Sequence, residues 1–198
     1  MTSYYDYTKM KRRLFIAINL PTEIKRGIEK EAERLKPILD PSVRFSHPEN
    51  WHLTLSFLGY QDDQDINLIV NSMQTATPKF SPPTIKFKKI LYGPPDKSPR
   101  MVWILGAPET STILGKIKNE LEDTLLQNGI GLKIEKRSFS AHLTLARFQG
   151  IPSKSLLKIE KDLSLEFEAE SLDLMESTLK RSGAEYAVLL KVAFKSDL

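Results

Sequence analysis

Alternation of polar and apolar residues marks one short motif at two places in the chain. The sequence His-Leu-Thr-Leu occupies residues 52–55 and again residues 142–145. Its period of two predicts two half-buried strands, over about 51–58 and 141–148, with His and Thr on one face and Leu on the other. A glycine follows each strand, so we expect the strands to end at Gly59 and Gly150.

The hydrophobic pattern around the two motifs repeats as well. A strand over 13–20 and a helix capped by Thr22 precede the first motif. A strand over 101–105 and a helix capped by Thr110 and ended by Gly129 precede the second. Because this order recurs at an offset of about 90 residues, it indicates an internal duplication.

Further elements lie between and after the motifs. The pattern predicts a helix over 62–73 and a strand over 84–91, with Ile85, Phe87 and Lys89 on one face of that strand. Downstream it predicts a helix over 152–162, an irregular strand over 165–178 and a strand over 186–194. The last two strands are expected to form a hairpin.

The predicted fold class is α+β, with two antiparallel-rich sheets and flanking helices. Two similar lobes related by a pseudo-twofold axis would bring the motif strands face to face across a central cleft. We expect residues 1–198 to form one bilobal domain, with residues 1–11 as a loose arm. The loop over 93–99, rich in Pro and Gly, is the expected lobe boundary.

Composition narrows the possible chemistry. The chain has no cysteine, which excludes disulfides, thiolate nucleophiles and zinc ribbons. Its 29 Lys and Arg against 25 Asp and Glu help to attract phosphorylated ligands, although charges at helical spacing, as at Lys25, indicate a solvated helix face. No apolar run has the roughly 18 residues of a membrane helix, and the short run over 14–18 lacks a signal cleavage site. We therefore expect a monomeric cytoplasmic protein with no membrane partner.

The two motifs place an imidazole beside a hydroxyl twice. His52 and His142 suit general base and general acid catalysis at neutral pH, because the pKa of imidazole is near 6.5. Thr54 and Thr144 would donate hydrogen bonds to the nonbridging oxygens of a phosphodiester. The sequence has no zinc-binding pattern and no phosphate-binding glycine loop, so no metal and no cofactor is expected.

Other residues are weaker candidates. On a straight strand Arg147 would point away from His142, so it reaches the cleft only if the strand twists, bulges or ends. Phe45 and Phe139 either stack on a base or pack in the core, and His47 is expected to be structural. The candidate phosphate contacts are Arg44, Lys133, Lys136, Arg137 and Arg181.

The two motifs, together with the run over 13–18 and the ending over 179–186, resemble the 2H phosphoesterases. The resemblance is closest to the RNA 2′,3′-cyclic phosphodiesterases, historically called 2′-5′ RNA ligases. It implies opening of a 2′,3′-cyclic phosphate at an RNA 3′ end to a 2′-phosphate, without a metal. By this resemblance His142 activates water, His52 protonates the leaving oxygen and Arg147 matches the family's trailing Arg. Ala141 departs from the proline that often precedes the second His.

Three alternatives stay open from the sequence. The same residues could join RNA ends through a 2′-5′ bond, since a catalyst accelerates both directions. They could act on another cyclic or 2′-5′ phosphodiester. A protein that binds RNA ends without turnover is the alternative outside enzymes, although such a site would favour Arg and Lys over paired His and Thr.

Overall fold

Two antiparallel sheets account for the period-two pattern of the sequence. The computed structural model describes residues 11–95, 98–135, 137–150, 159–180 and 183–195. Within them the strands are β1 Lys11–Asn19, β2 Val43–Phe45, β3 His52–Asp62, β4 Thr84–Gly93, β5 Met101–Gly106, β6 His142–Phe148, β7 Glu160–Glu168, β8 Ser171–Lys180 and β9 Gly183–Ala193. The helices are α1 Thr22–Leu35, α2 Asp65–Ala76 and α3 Pro108–Gln127.

The first sheet has the strand order β3-β1-β8-β9, and the second has the order β2-β6-β5-β4-β7. Neighbouring strands are antiparallel throughout both sheets. Each motif strand therefore belongs to a different sheet, and β3 and β6 contact each other where the sheets meet. The predicted α+β class with two antiparallel sheets is confirmed.

The paired strands of the two halves agree in detail. β1 pairs with β3 in the first sheet, as β5 pairs with β6 in the second. Both motif strands carry an extra residue directly after the Thr, Leu55 in β3 and Leu145 in β6, where the partner strand has no residue opposite. The same irregularity at the same motif position supports the predicted duplication.

The sheets do not divide the chain into its two halves. β4 and β5 form one antiparallel hairpin in the second sheet, and the loop over 93–99 connects them. The lobe boundary predicted at that loop is therefore wrong. In addition, β2 from the first half pairs with β6, and the hairpin of β8 and β9 from the second half pairs with β1.

Several predicted elements have different bounds. β3 does not stop at Gly59 but continues to Asp62, because Gly59 takes a φ of 72° beside a second bulge. A bulge in β4 after Phe87 brings Ile90 into the core in place of Lys89. Residues 160–162, predicted as the end of a helix, lie in β7, and the strand predicted over 165–178 is two strands in different sheets. Residues 152–158 of that predicted helix and residues 1–10 of the predicted arm lie outside the described residues, whereas Lys11 of the arm belongs to β1.

The helices cover the sheets with their apolar faces. α1 buries Ile24, Ile28, Ala32 and Leu35, and α3 begins at Pro108 rather than after Thr110. The predicted caps are wrong, because Thr22 is already inside α1 and the Thr110 hydroxyl bonds to the backbone of β4. Gly129 ends α3 in the left-handed region as predicted, with a φ of 83°. Among the described helices, none has the length and apolar character needed to cross a bilayer.

Candidate active site

His52 is the first residue of β3 and is held from three sides. Its Nδ1 lies 2.8 Å from the carbonyl oxygen of Asn50. The ring centroids of Phe15 and Tyr186 both lie 5.0 Å from that of the imidazole, and the ring of Tyr186 is nearly perpendicular to it, at 87°. Because a carbonyl only accepts hydrogen bonds, Nδ1 carries the hydrogen and Nε2 is left for a ligand.

His142 is held in the same way at the start of β6. Its Nδ1 lies 2.8 Å from the carbonyl oxygen of Ser140, again two residues upstream. The indole of Trp103 stacks on this imidazole with ring centroids 3.9 Å apart. Gly93 makes room for the indole, since a Cβ there would lie 2.2 Å from the ring. Both imidazoles therefore offer Nε2 in a fixed orientation.

Thr54 and Thr144 lie on the same faces as the histidines. In β3, His52 and Thr54 lie opposite Asn19 and Ala17 of β1, and in β6 the matching pair lies opposite residues 105 and 103 of β5. Residues directly opposite each other in antiparallel strands share a face of the sheet. Both hydroxyl-bearing side chains are half-buried beside an imidazole, as the alternation predicted.

Known proteins share this sequence pattern. A family model described as LigT-like phosphoesterase matches residues 18–103. A protein of Methanocaldococcus jannaschii named RNA 2′,3′-cyclic phosphodiesterase is 35% identical over 182 residues, covering 89% of this chain and 98% of that protein. The chain belongs to the LigT-like phosphoesterase family. The predicted resemblance is confirmed.

Solved structures share the fold of this LigT-like chain. A protein of Thermus thermophilus superposes with a TM-score of 0.77 at 22% identity, covering 94% of this chain and 100% of that chain. The crystal structure of E. coli LigT complexed with 3′-AMP gives a TM-score of 0.71 at 24% identity, covering 93% and 99%. These two structures support the bilobal fold of the family.

Burial lowers the pKa of both imidazoles. For His52 the pKa falls from 6.5 to about 4, chiefly because the charged form loses its hydration, with further lowering from the positive charges of Arg147 and Lys25. Burial also lowers the pKa of His142, and the charges of Arg137 and Arg147 act in the same direction. The carbonyl partners of the two Nδ1 atoms oppose these shifts. At neutral pH the ligand-free site therefore holds two neutral imidazoles.

Arg147 lies on the face of β6 that carries His142 and Thr144, which the alternation of a straight strand did not predict. We call this face, together with the face of β3 that carries His52 and Thr54, the cleft face. The bulge at Leu145 reverses the alternation, so Arg147 shares its face with Thr144 and lies opposite Met101. Its Nη1 is 3.2 Å from the Sδ of Met101. Because its charge lowers the pKa of both imidazoles, Arg147 is within electrostatic reach of both motif strands.

The structure places the other candidate residues in different surroundings. Phe45 and Phe139 pack against the hydrophobic core, and Phe45 lies opposite Ala146 on the face away from His142. Arg44 lies opposite Arg147 on the cleft face, and the exposed Arg137 pairs with Glu135 at 2.7 Å. The remaining residues are the exposed Lys133 and His47, and Lys136 and Arg181, which lie outside the described residues.

Three residues near His52 were not predicted from the sequence. Phe57 is 64% exposed on the cleft face, five residues after His52, as Arg147 is five residues after His142. Tyr186 reaches His52 from β9, and Lys25 acts on it electrostatically from α1. The equal spacing of Phe57 and Arg147 was available as a signal, whereas the approach of Tyr186 depends on the sheet topology.

The acidic and imidazole side chains do not form a metal-binding cluster in the described residues. Within the part of the chain that the structure describes, no three His, Asp or Glu side chains lie together in a way that could hold a metal ion. The cleft faces of β3 and β6 instead carry two imidazoles, two hydroxyls and the guanidinium of Arg147, whose charge acts on both imidazoles. These groups can bind an anion and move protons to and from it.

Proposed function

We propose that this chain hydrolyses 2′,3′-cyclic phosphate ends of RNA to 2′-phosphates by general acid–base catalysis. The observation that carries the proposal is the pair of imidazoles with free Nε2 atoms, both within electrostatic reach of Arg147. The M. jannaschii relative, named for the same activity, adds support over nearly its whole length. We further propose that the protein acts as a cytoplasmic monomer.

The reaction needs a proton taken from one side of phosphorus and a proton given on the other. In the proposed scheme Nε2 of His142 accepts a proton from water as the water oxygen bonds to phosphorus. The bond between phosphorus and the 3′ oxygen breaks, and His52 donates its Nε2 proton to that oxygen. The product carries a 2′-phosphate and a 3′-hydroxyl, and one proton transfer through solvent restores the enzyme.

The starting state requires one charged imidazole, although both pKa values are depressed in the free site. A bound phosphodiester anion favours the imidazolium, because an opposite charge nearby raises the pKa of a histidine. Substrate binding therefore favours the uptake from solvent of the proton that the mechanism uses. Arg147 and the hydroxyls of Thr54 and Thr144 would hold the nonbridging oxygens and stabilise the charge that develops on them.

Phe57 is proposed as the contact for the terminal base. It lies opposite Phe15 on the cleft face, beyond Thr54 along β3, and its ring centroid is 6.3 Å from that of Phe15. An exposed aromatic ring held by a buried one is a stacking platform of the kind that binds unpaired bases. The same position in the second motif is Arg147, so the site would be apolar at one end and cationic at the other.

The test is hydrolysis of a short RNA with a 2′,3′-cyclic phosphate end, measured in EDTA. We expect turnover to a 2′-phosphate by the wild type and a loss of about 10²- to 10⁴-fold in kcat for His52→Ala and for His142→Ala. His47→Ala is the matched control, because the third histidine is exposed and lies before β3. An intact cyclic end, or motif variants as active as the control, would exclude this activity.

A sulfur in place of the 3′ oxygen distinguishes the acid from the base. A thiolate leaves without protonation, because its conjugate acid is much stronger than an alcohol. With this substrate the defect of His52→Ala should shrink by at least tenfold, while the defect of His142→Ala should persist. The opposite pattern would reverse the two roles and leave the reaction unchanged.

A further inference from the structure

The cleft face of β3 continues past the proposed base contact. Because the strand extends to Asp62, Tyr60 lies on the same face as His52, Thr54 and Phe57. The register with β1 shows this, because the residues opposite these four positions are every second residue of β1, from Asn19 to Arg13. Every second residue of a strand lies on the same face, and residues opposite each other share that face. Tyr60 is 63% exposed, so the face holds a second open aromatic ring beyond Phe57.

Arg13 gives this end of the face a positive charge. Among the described residues it has no acidic partner within salt-bridge distance, whereas its neighbour Arg12, on the opposite face, is bound to Glu176 at 2.5 Å. The next pair along the strands, Lys11 opposite Asp62, combines opposite charges. At this end of the face, the uncompensated positive charge is therefore that of Arg13, opposite Tyr60.

The position of this pair can be measured along β1. Ala17, opposite Thr54, and Arg13, opposite Tyr60, are four residues apart, which corresponds to about 13 Å of strand. Phe15, opposite Phe57, lies halfway between them. Phosphate, base and a second aromatic ring would therefore follow one another in equal steps away from the catalytic histidine.

We propose that Tyr60 and Arg13 form a subsite for the nucleotide that precedes the cyclic end of the RNA. This inference rests on the proposed function, which brings the last phosphate to His52 and its base to Phe57. The preceding base stacks on Tyr60, and the guanidinium of Arg13 binds the phosphate that links the two nucleotides. Single-stranded nucleic acid is bound by this combination of stacking rings and cations.

The subsite predicts a preference for oligonucleotides over mononucleotides. The experiment compares a nucleoside 2′,3′-cyclic phosphate with a trinucleotide bearing the same cyclic end. Tyr60→Ala and Arg13→Ala should each lower kcat/KM for the trinucleotide by about tenfold, through KM, and leave the mononucleotide within twofold. Tyr60→Phe should retain the preference, and Arg26→Ala, at an exposed position on α1, controls for loss of surface charge.

A second measurement does not depend on turnover. Affinities of the wild type and variants for the product trinucleotide with a 2′-phosphate, and for the corresponding mononucleotide, report the subsite directly. A wild type that hydrolyses or binds both lengths equally would overturn the subsite and leave the proposed function standing. Equal losses on both substrates in the two variants would also overturn it, because the residues would then act through the fold. Binding with the length preference but no hydrolysis would instead exclude the proposed activity alone.

Discussion

The two catalytic candidates have the same backbone setting and different aromatic neighbours. Each imidazole is fixed by a carbonyl two residues upstream, which leaves Nε2 free. His52 lies between Phe15 and Tyr186, whereas His142 is stacked on Trp103. The duplicated motif thus orients both imidazoles in the same way. The rest of the fold gives the two imidazoles different neighbours. Different environments are what an acid and a base require.

The depressed pKa values predict the pH dependence of the reaction. In the free enzyme the pKa of His52 is about 4 and that of His142 lies below its ordinary value. The bell-shaped profile of kcat/KM reports these free-enzyme values, so its maximum should lie below pH 7. Above the higher of the two pKa values the rate should fall about tenfold per pH unit, because the pair then loses the single proton that the reaction needs.

The profile is measured with the cyclic-ended RNA at constant ionic strength. Lys25→Met removes a positive charge that lowers the pKa of His52. The limb of the profile that His52 controls should therefore move to higher pH in this variant. A maximum above pH 7 in the wild type would contradict the conclusion that burial lowers the pKa values of the two imidazoles in the free enzyme.

At the scale of the strands, bulges decide which side chains reach the cleft. Without the extra residue at Leu145, Arg147 would face the core, and without the one at Leu55, Phe57 would do so. A third irregularity, at Leu58 and Gly59, returns Tyr60 to the cleft face. A β-bulge re-aims the side chains that follow it, so three insertions convert a simple alternation into a ligand-binding surface.

Gly59 tests the contribution of this third bulge. Its φ of 72° lies in the left-handed region, which costs other residues about 1 kcal/mol or more, although a Cβ there would meet no atom within 4 Å. Gly59→Ala should lower the free energy of unfolding in urea by about 1 kcal/mol. Gly131→Ala is the control, because that glycine also has open space but no left-handed φ. Equal effects at both positions would mean that the bulge does not depend on glycine.

At the scale of the molecule, the two sheets are held together by exchanged elements. Strands from each half of the chain complete the sheet of the other half. α3, which precedes the second motif, also reaches the first: Glu122 accepts a hydrogen bond from Ser56 of β3 at 2.8 Å and pairs with Lys118 at 2.5 Å. Ser56 directly follows the bulge residue Leu55, so this buried contact connects the helix to the strand that carries His52.

Removing the carboxylate should therefore destabilise the whole fold. Glu122 and Lys118 side chains are 5% and 11% exposed, and Glu122→Ala leaves a buried cation without a partner. The free energy of unfolding should fall by about 3 kcal/mol. Glu120→Ala makes the same change in the same helix at the surface pair with Lys79, where the loss should stay below about 1 kcal/mol. Similar losses in both variants would show that the buried pair adds nothing to stability.

The local elements and the central chemical groups could be predicted from the residue pattern. The period of two placed His52, Thr54, His142 and Thr144 on strands with the correct faces, because alternation over four residues is a property of the strand alone. The constant offset between the two halves indicated the duplication, because each half forms its own pair of strands, β1 with β3 and β5 with β6. The core helices followed from apolar residues at intervals of three and four.

Features that depend on pairing between distant residues could be read only from the folded chain. The bulges behind Arg147, Phe57 and Tyr60 are defined by the pairing with a partner strand, so the alternation within one strand does not reveal them. Tyr186 reaches His52 because the last hairpin joins the first sheet. The boundary between lobes was misplaced for the same reason, since a loop rich in Pro and Gly can turn a hairpin as well as separate two sheets. The exchange of strands between the two halves is a long-range feature, because it depends on how the two sheets pack in the complete fold.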